Sequence, residues 1–160
     1  MKVRNSVWLV LALLLTIIFP WLRQLTIGGL LPDLWIVLLL LAVPSPLPRS
    51  LRKPVVLTVC LGALRSAVSL PPLLASCAGL FTALLLREQL SRRLSNSLVI
   101  YRFFINSVAA IPITLVDVVI ANQNNIQIAN SDFVWRLFLT GLVLAFAHRR
   151  QTSSIFIGRK

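Results

Sequence analysis

The chain has 160 residues, 58% of them hydrophobic and only 12% charged, and sixteen Lys and Arg stand against four acids for a formal net charge of +12. A water-facing surface carries about 25% charged residues, so the composition disfavours a soluble enzyme, a nucleic-acid module and a disulfide scaffold. Basic charge on so apolar a chain reads as membrane topology. The expected class is an all-α integral membrane protein with no nucleic-acid partner.

A bilayer core is crossed by roughly 20 apolar residues, with about 17 to 25 tolerated. The first run, 6–22, follows Lys2 and Arg4 and resembles the start of a signal peptide. Phe19-Pro20-Trp21-Leu22-Arg23 offers no small-residue cleavage site, so the run is expected to be retained. The second run, 27–43, reaches spanning length by recruiting Ile27 to Leu31. Pro32 suits a first helical turn, where its missing N–H costs nothing, and Asp33 suits the positive end of the helix dipole. Pro44-Ser45-Pro46-Leu47-Pro48-Arg49 then reads as a stiff extended loop, either a plain connector or a docking strip for a cytoplasmic partner.

The third run, 54–70, contains Arg65. Breaking the chain at Arg65 would leave a helix too short to span, so the turn is placed at Pro71-Pro72 and the fourth run covers 72–86. The fifth, 98–121, carries Arg102, Asn106 and Asp117, and a polar loop with Ser131 as a candidate cap leads into the sixth, 133–147. The expected fold is one bundle of six transmembrane helices.

With six spans both termini lie on one side. The opposite side then keeps only Arg23, Arg65 and Arg136, and every other Lys and Arg falls on the side of the termini. Positive loops stay in the cytoplasm, so both termini are expected there, with the basic face against anionic lipid at about 1 kcal/mol per nearby cation. Asp33, Asp117 and Asp132 fall toward the outside and balance the three arginines there.

Ionisable groups at membrane depth usually face the bundle interior and pair. Arg65 and Asp117 fall at similar depth on two helices that run the same way, which predicts a pair between them, with Asp33 as a competing partner. The alternative is that Arg65 snorkels alone to the outer interface. Arg102, Asn106, Ala110, Thr114 and Asp117 share one face of the fifth helix, for interhelical hydrogen bonds or a substrate path. Small residues at Thr58, Gly62 and Ser66, and at Ala75, Gly79 and Ala83, predict a tight hairpin of the third and fourth helices, or a groove for a partner helix.

Catalytic chemistry has little to work with. His148 sits beside Arg149 and Arg150 at a helix end, and Cys60 and Cys77 lie in apolar runs without ligand spacing. Trp8, Trp21, Trp35 and Trp135 fall near span ends, as aromatic belts do. No cofactor or metal is expected, and no enzyme.

A short N-terminal span, Pro32-Asp33 opening a Leu-rich helix, and a basic loop after it resemble the rod-shape-determining MreD family. Gly62-Ala63-Leu64-Arg65 followed by Ser66 to Pro71 is similar to that family's stretch between its middle helices, and Leu115-Val116-Asp117-Val118-Val119 to its Asp-bearing late helix. Two positions depart: Arg65 stands where the family usually has an acid, and Pro72-Leu73-Leu74 lacks its glycine. The resemblance implies a non-enzymatic scaffold of the cell-elongation machinery in the bacterial inner membrane. It would bind an MreC-like protein and, through it, MreB and the RodA/transpeptidase wall synthase. Pro32, Asp33, Gly62, Arg65, Pro71, Gly79 and Asp117 are the expected structural or partner positions. The implied fold is also similar to the S components of energy-coupling-factor transporters, which makes a vitamin-binding subunit the second reading.

Overall fold

The computed structural model describes residues 5–24, 32–43, 45, 47, 51–94, 98–126 and 130–156, with side chains described in the first helix from Val7 to Trp21 and in the last from Ser131 to Ala147. Every regular element among the described residues is a helix: α1 (Asn5–Gln24), α2 (Leu34–Ala42), α3 (Arg52–Val68), α4 (Leu73–Arg93), α5 (Val99–Gln123) and α6 (Asn130–Phe156). Two of them, α4 and α5, are long and apolar enough to cross a membrane. The bundle is tied in chain order by α3 on α4, α4 on α5 and α5 on α6, while α1 lies against α2 and α3.

Helix α2 sits at the centre. Its nine residues, Leu-Trp-Ile-Val-Leu-Leu-Leu-Leu-Ala, have no polar face, and Trp35 through Leu40 are all buried. A helix that is apolar all round needs neighbours on every side, and α1, α3, α4 and α6 supply them. At 1.5 Å per residue it is only about 13 Å long, less than half of a hydrocarbon core of roughly 30 Å. The expected 27–43 run is thus helical over Leu34–Ala42, and Ile27 to Leu31 lie outside the described residues. Pro32 is not in the first turn as expected. Asp33 is extended (φ −68°, ψ 100°) and takes the N-cap, its carboxylate accepting from the Trp35 and Ile36 N–H groups, so the helix begins after it.

Other helix ends follow from local chemistry. The turn falls at the prolines, with α3 stopping at Val68 and α4 starting after Pro72. Helix α4 continues to Arg93, past the expected end at 86, and this carries Arg87, Glu88 and Ser91 onto a helix rather than a loop. Of the proline-rich connector, Ser45 and Leu47 are described and both bond to α4. The Ser45 hydroxyl donates to Ser91 Oγ at 2.8 Å, and the Leu47 N–H to Glu88 Oε2 at 2.9 Å. At the end of α5, Asn125 adopts a left-handed φ of 57°. The Ile126 N–H then reaches back to the Ala121 carbonyl and the Asn125 N–H to that of Asn122, a Schellman cap with Asn in the usual glycine place.

Close helix approaches use the glycines, but not as one hairpin. A Cβ at Gly62 would lie 2.5 Å from Cys77 Sγ and 3.2 Å from the Cys77 backbone, so α3 does press on α4 there. Gly79 faces Ile113 and Val116 of α5 instead, which corrects the expectation for that position: it serves the α4–α5 contact, not the α3–α4 one. Gly141 of α6 lies against Ser107 and the Phe103 carbonyl of α5, a contact the small-residue pattern did not single out. Edge-on Phe103 and Phe138 add to that interface, with ring centres 5.3 Å apart.

Candidate functional site

The N-terminal end of α2 gathers the site. Arg65, on the last turn of α3, is only 2% exposed and sends its guanidinium between two carboxylates. Its Nε donates to Asp33 Oδ2 at 3.0 Å, and its Nη2 lies 2.6 Å from both oxygens of Asp117 on α5. A fourth helix joins through Ser76 of α4, whose Oγ accepts from Arg65 Nη1 at 3.4 Å. The other oxygen of Asp33 is held by the backbone of α2. One cation therefore links α2, α3, α4 and α5. The planar five-donor fork of arginine makes this possible, where the single ammonium of a lysine would not reach all three partners.

The geometry decides between the two expectations for Arg65. It does not snorkel alone; it pairs with Asp117, and Asp33 is a second partner rather than a competitor. Buried so deeply, a guanidinium without such partners would leave a charge in low dielectric at a cost of several kcal/mol. Each charge-assisted hydrogen bond returns about 1.5–3 kcal/mol of that.

Beside the network lies a pocket of about 150 Å³. Of the expected positions, Pro32, Asp33, Arg65, Pro71 and Asp117 line it. Gly62 and Gly79 are brought instead to the α3–α4 and α4–α5 contacts. Thr114, from the polar stripe of α5, also lines the pocket, with its hydroxyl donating to the Ala110 and Ile111 carbonyls. Asn106 and Ala110 of that stripe are buried with it. Ala121 and Ile126 complete one wall, held there by the cap of α5.

Sequence reasoning missed three members. Trp35 was read as a belt residue, but it is 2% exposed, lines the pocket and packs edge-on to Phe19, with ring centres 4.5 Å apart. Its indole Nε1–H has no hydrogen-bond partner among the described residues. Ser76, one turn past Pro72, carried no signal beyond its place in an apolar run. Arg136 of α6, counted only as an outer charge, lines the pocket as well.

A second polar cluster holds the other end of α2. Arg87, counted with the cytoplasmic charges, is 6% exposed and donates through Nη1 to the carbonyls of Leu40 at 2.6 Å and Val43 at 3.0 Å. Those carbonyls are the ones a helix C-terminus leaves unpaired. Glu88 beside it accepts from Leu47 N–H and Arg92 Nε. Among the described residues no group of three or more His, Cys, Asp or Glu could hold a metal.

No family model, curated protein or solved structure matches the chain.

Proposed function

We propose that the chain is a six-span inner-membrane scaffold of the MreD type, with both termini cytoplasmic, that binds partner membrane proteins of the bacterial cell-elongation machinery through its helix faces. The observation that carries the reading is the use of Arg65: it is consumed, with Asp33 and Asp117, in tying four helices together. Arg87 is likewise consumed at the other end of α2. Charges fixed in structure leave the outward apolar faces to carry function, and those faces are extensive. On α1, Leu11, Leu14, Ile17 and Ile18 are all exposed. The order Pro32-Asp33, Gly62 to Pro71, and Asp117 within Leu115–Val119 supports the family resemblance.

On this reading the partner is an MreC-like membrane protein, with MreB and the RodA/transpeptidase synthase reached through it. Anionic lipid would face the basic cytoplasmic ends of the helices. Crosslinking in cells, with identification of the attached proteins, tests it: MreC-like and wall-synthesis proteins are expected. Recovery of transporter ATPases in their place would instead favour the vitamin-transporter reading. Depletion in a rod-shaped host is expected to round the cells, and unchanged shape would count against the scaffold.

A further inference from the structure

We propose that the small pocket at the C-terminal end of α2 is an anion site that seats the oxygens of a phosphate group. The site stands on its own side chains and does not depend on the scaffold reading; only a lipid as the source of the phosphate rests on the membrane reading. Two buried arginines differ in what compensates them. Arg65 is 2% exposed and has carboxylate oxygens at 2.6 and 3.0 Å. Arg87 is 6% exposed and forms no ion pair among the described residues. Its sequence neighbour Glu88 bonds elsewhere, one oxygen accepting from the Leu47 N–H and the other from Arg92 Nε. What Arg87 has instead is the carbonyls of Leu40 and Val43, both on Nη1. They carry the negative end of the α2 dipole, about half a charge, so part of a buried guanidinium charge stays uncompensated.

The pocket that Arg87 lines holds the donors an anion needs. Nε and Nη2 of Arg87 make no hydrogen bond among the described residues. Neither does the amide of Asn106, a residue of α5 that lines the same pocket and is only 9% exposed. Unlike the sealed Trp35 nitrogen, these atoms keep accessible surface. Arg102 lines the pocket as well and no Asp or Glu does, so the wall carries positive charge alone. Water would satisfy the N–H groups but not that charge. The volume, about 20 Å³, exceeds the roughly 10–15 Å³ that one water takes, yet it leaves no room for the body of a metabolite. Only the oxygens of a ligand enter. A phosphate group meets these demands, because it offers several acceptor oxygens at once and its charge offsets the guanidiniums, the pairing for which arginine is suited. Basic pockets between membrane helices on the cytoplasmic side take anionic lipid headgroups in this way.

The test uses the full chain purified in detergent and stripped of lipid. Two probes separate the sources of phosphate: inorganic phosphate, titrated at constant ionic strength against chloride, and phosphatidic acid in mixed micelles, compared with diacylglycerol at equal mole fraction. Binding is read by isothermal titration and by the shift of the thermal unfolding midpoint. Asn106→Leu removes the amide at similar volume, and Arg87→Lys keeps a cation for the α2 carbonyls while losing the rest of the fork. Each is expected to weaken binding about tenfold, the loss that follows from one hydrogen bond to a charged group. Inorganic phosphate binding that the variants weaken supports the site with a soluble phosphate as its ligand. A response to phosphatidic acid alone, weakened in the same way, supports it with a lipid headgroup. Asn106→Leu carries the test if Arg87→Lys does not fold. No response to either anion, a response to diacylglycerol equal to that of phosphatidic acid with none to inorganic phosphate, or affinities unchanged in both variants would overturn the proposal.

Discussion

Replacing Arg65 by methionine removes the cation that bonds to both Asp33 and Asp117 while roughly conserving side-chain length. Asp33 would keep its two backbone donors, at 3.1 and 3.3 Å, but Asp117 would lose both of its 2.6 Å contacts to Arg65. Breaking a buried ion pair from one side typically costs about 3–5 kcal/mol, and Arg65→Met is expected in that range. Asp117→Asn is milder, because the amide oxygen still accepts from Nη2 and Arg65 keeps Asp33 and Ser76; about 1–3 kcal/mol follows. The two changes should not add, and a coupling of about 1–3 kcal/mol is expected from residues in direct contact. The triple variant D33N/R65M/D117N removes all three charges of this network and is expected to recover most of the Arg65→Met loss. Unfolding of the purified chain by dodecyl sulfate, followed by tryptophan fluorescence, gives the four free energies. Strictly additive single losses, or an Arg65→Met cost below about 0.5 kcal/mol, would refute a network centred on Arg65.

Gly62→Ala is expected to destabilise more than Gly79→Ala. The new methyl at Gly62 meets Cys77 backbone at 3.2 Å, whereas at Gly79 its nearest neighbour is the mobile end of Ile113, with the Ile113 Cα at 3.4 Å. Overpacking of this kind costs about 1–3 kcal/mol, and unfolding of the two variants in parallel checks the order. Arg87→Leu is expected to cost about 2–4 kcal/mol, since it strips the donors from two buried carbonyls. Arg92→Ala, which removes a partner that is 73% exposed, should stay under about 0.5 kcal/mol. The same titration compares the two. For the proposed orientation, Asn124→Cys in a chain whose native cysteines are replaced by alanine should react in intact cells with a membrane-impermeant maleimide, and Arg52→Cys should react only after lysis. The reverse pattern would invert the topology.

The pairing of Arg65 with Asp117 was legible in the sequence because depth along two helices fixes which ionisable groups can meet, and few candidates exist in so apolar a chain. Asp33 was legible as an acid at the positive end of a helix dipole, but not as the N-cap, because a proline before it looks equally like a first helical turn. Its second role, as the other wall of the Arg65 site, was visible only as a competitor because sequence depth does not say how many partners a guanidinium takes. Trp35 was misread. A tryptophan near the end of an apolar run has the same pattern whether it faces lipid or a pocket, and here the central place of α2 decides. Gly141 and Arg87 were missed for a related reason. A single small residue forms no stripe, and an arginine among Arg92 and Arg93 looks like one more surface charge until α2 is found to end beside it.

Why the chain keeps charged residues at both ends of α2 follows from that helix's length. A helix of nine residues surrounded by other helices ends inside the bundle, so its unpaired N–H and C=O groups cannot turn to water. Asp33 satisfies the first end and Arg87 the second. Asp33, once buried, carries a charge that itself needs a cation, and Arg65 supplies it. Arg65 then exceeds one carboxylate in donors, and Asp117 and Ser76 take the remainder. Each charge is thus required by the one before it, starting from a backbone that stops short. An acid at position 65 would break this chain of dependence by placing three carboxylates at one site, so Arg65→Asp should be tolerated only if Asp33 or Asp117 is changed to a neutral residue or a cation in the same chain. Expression of Arg65→Asp alone at wild-type yield of folded, monodisperse protein would show that the three positions are independent after all.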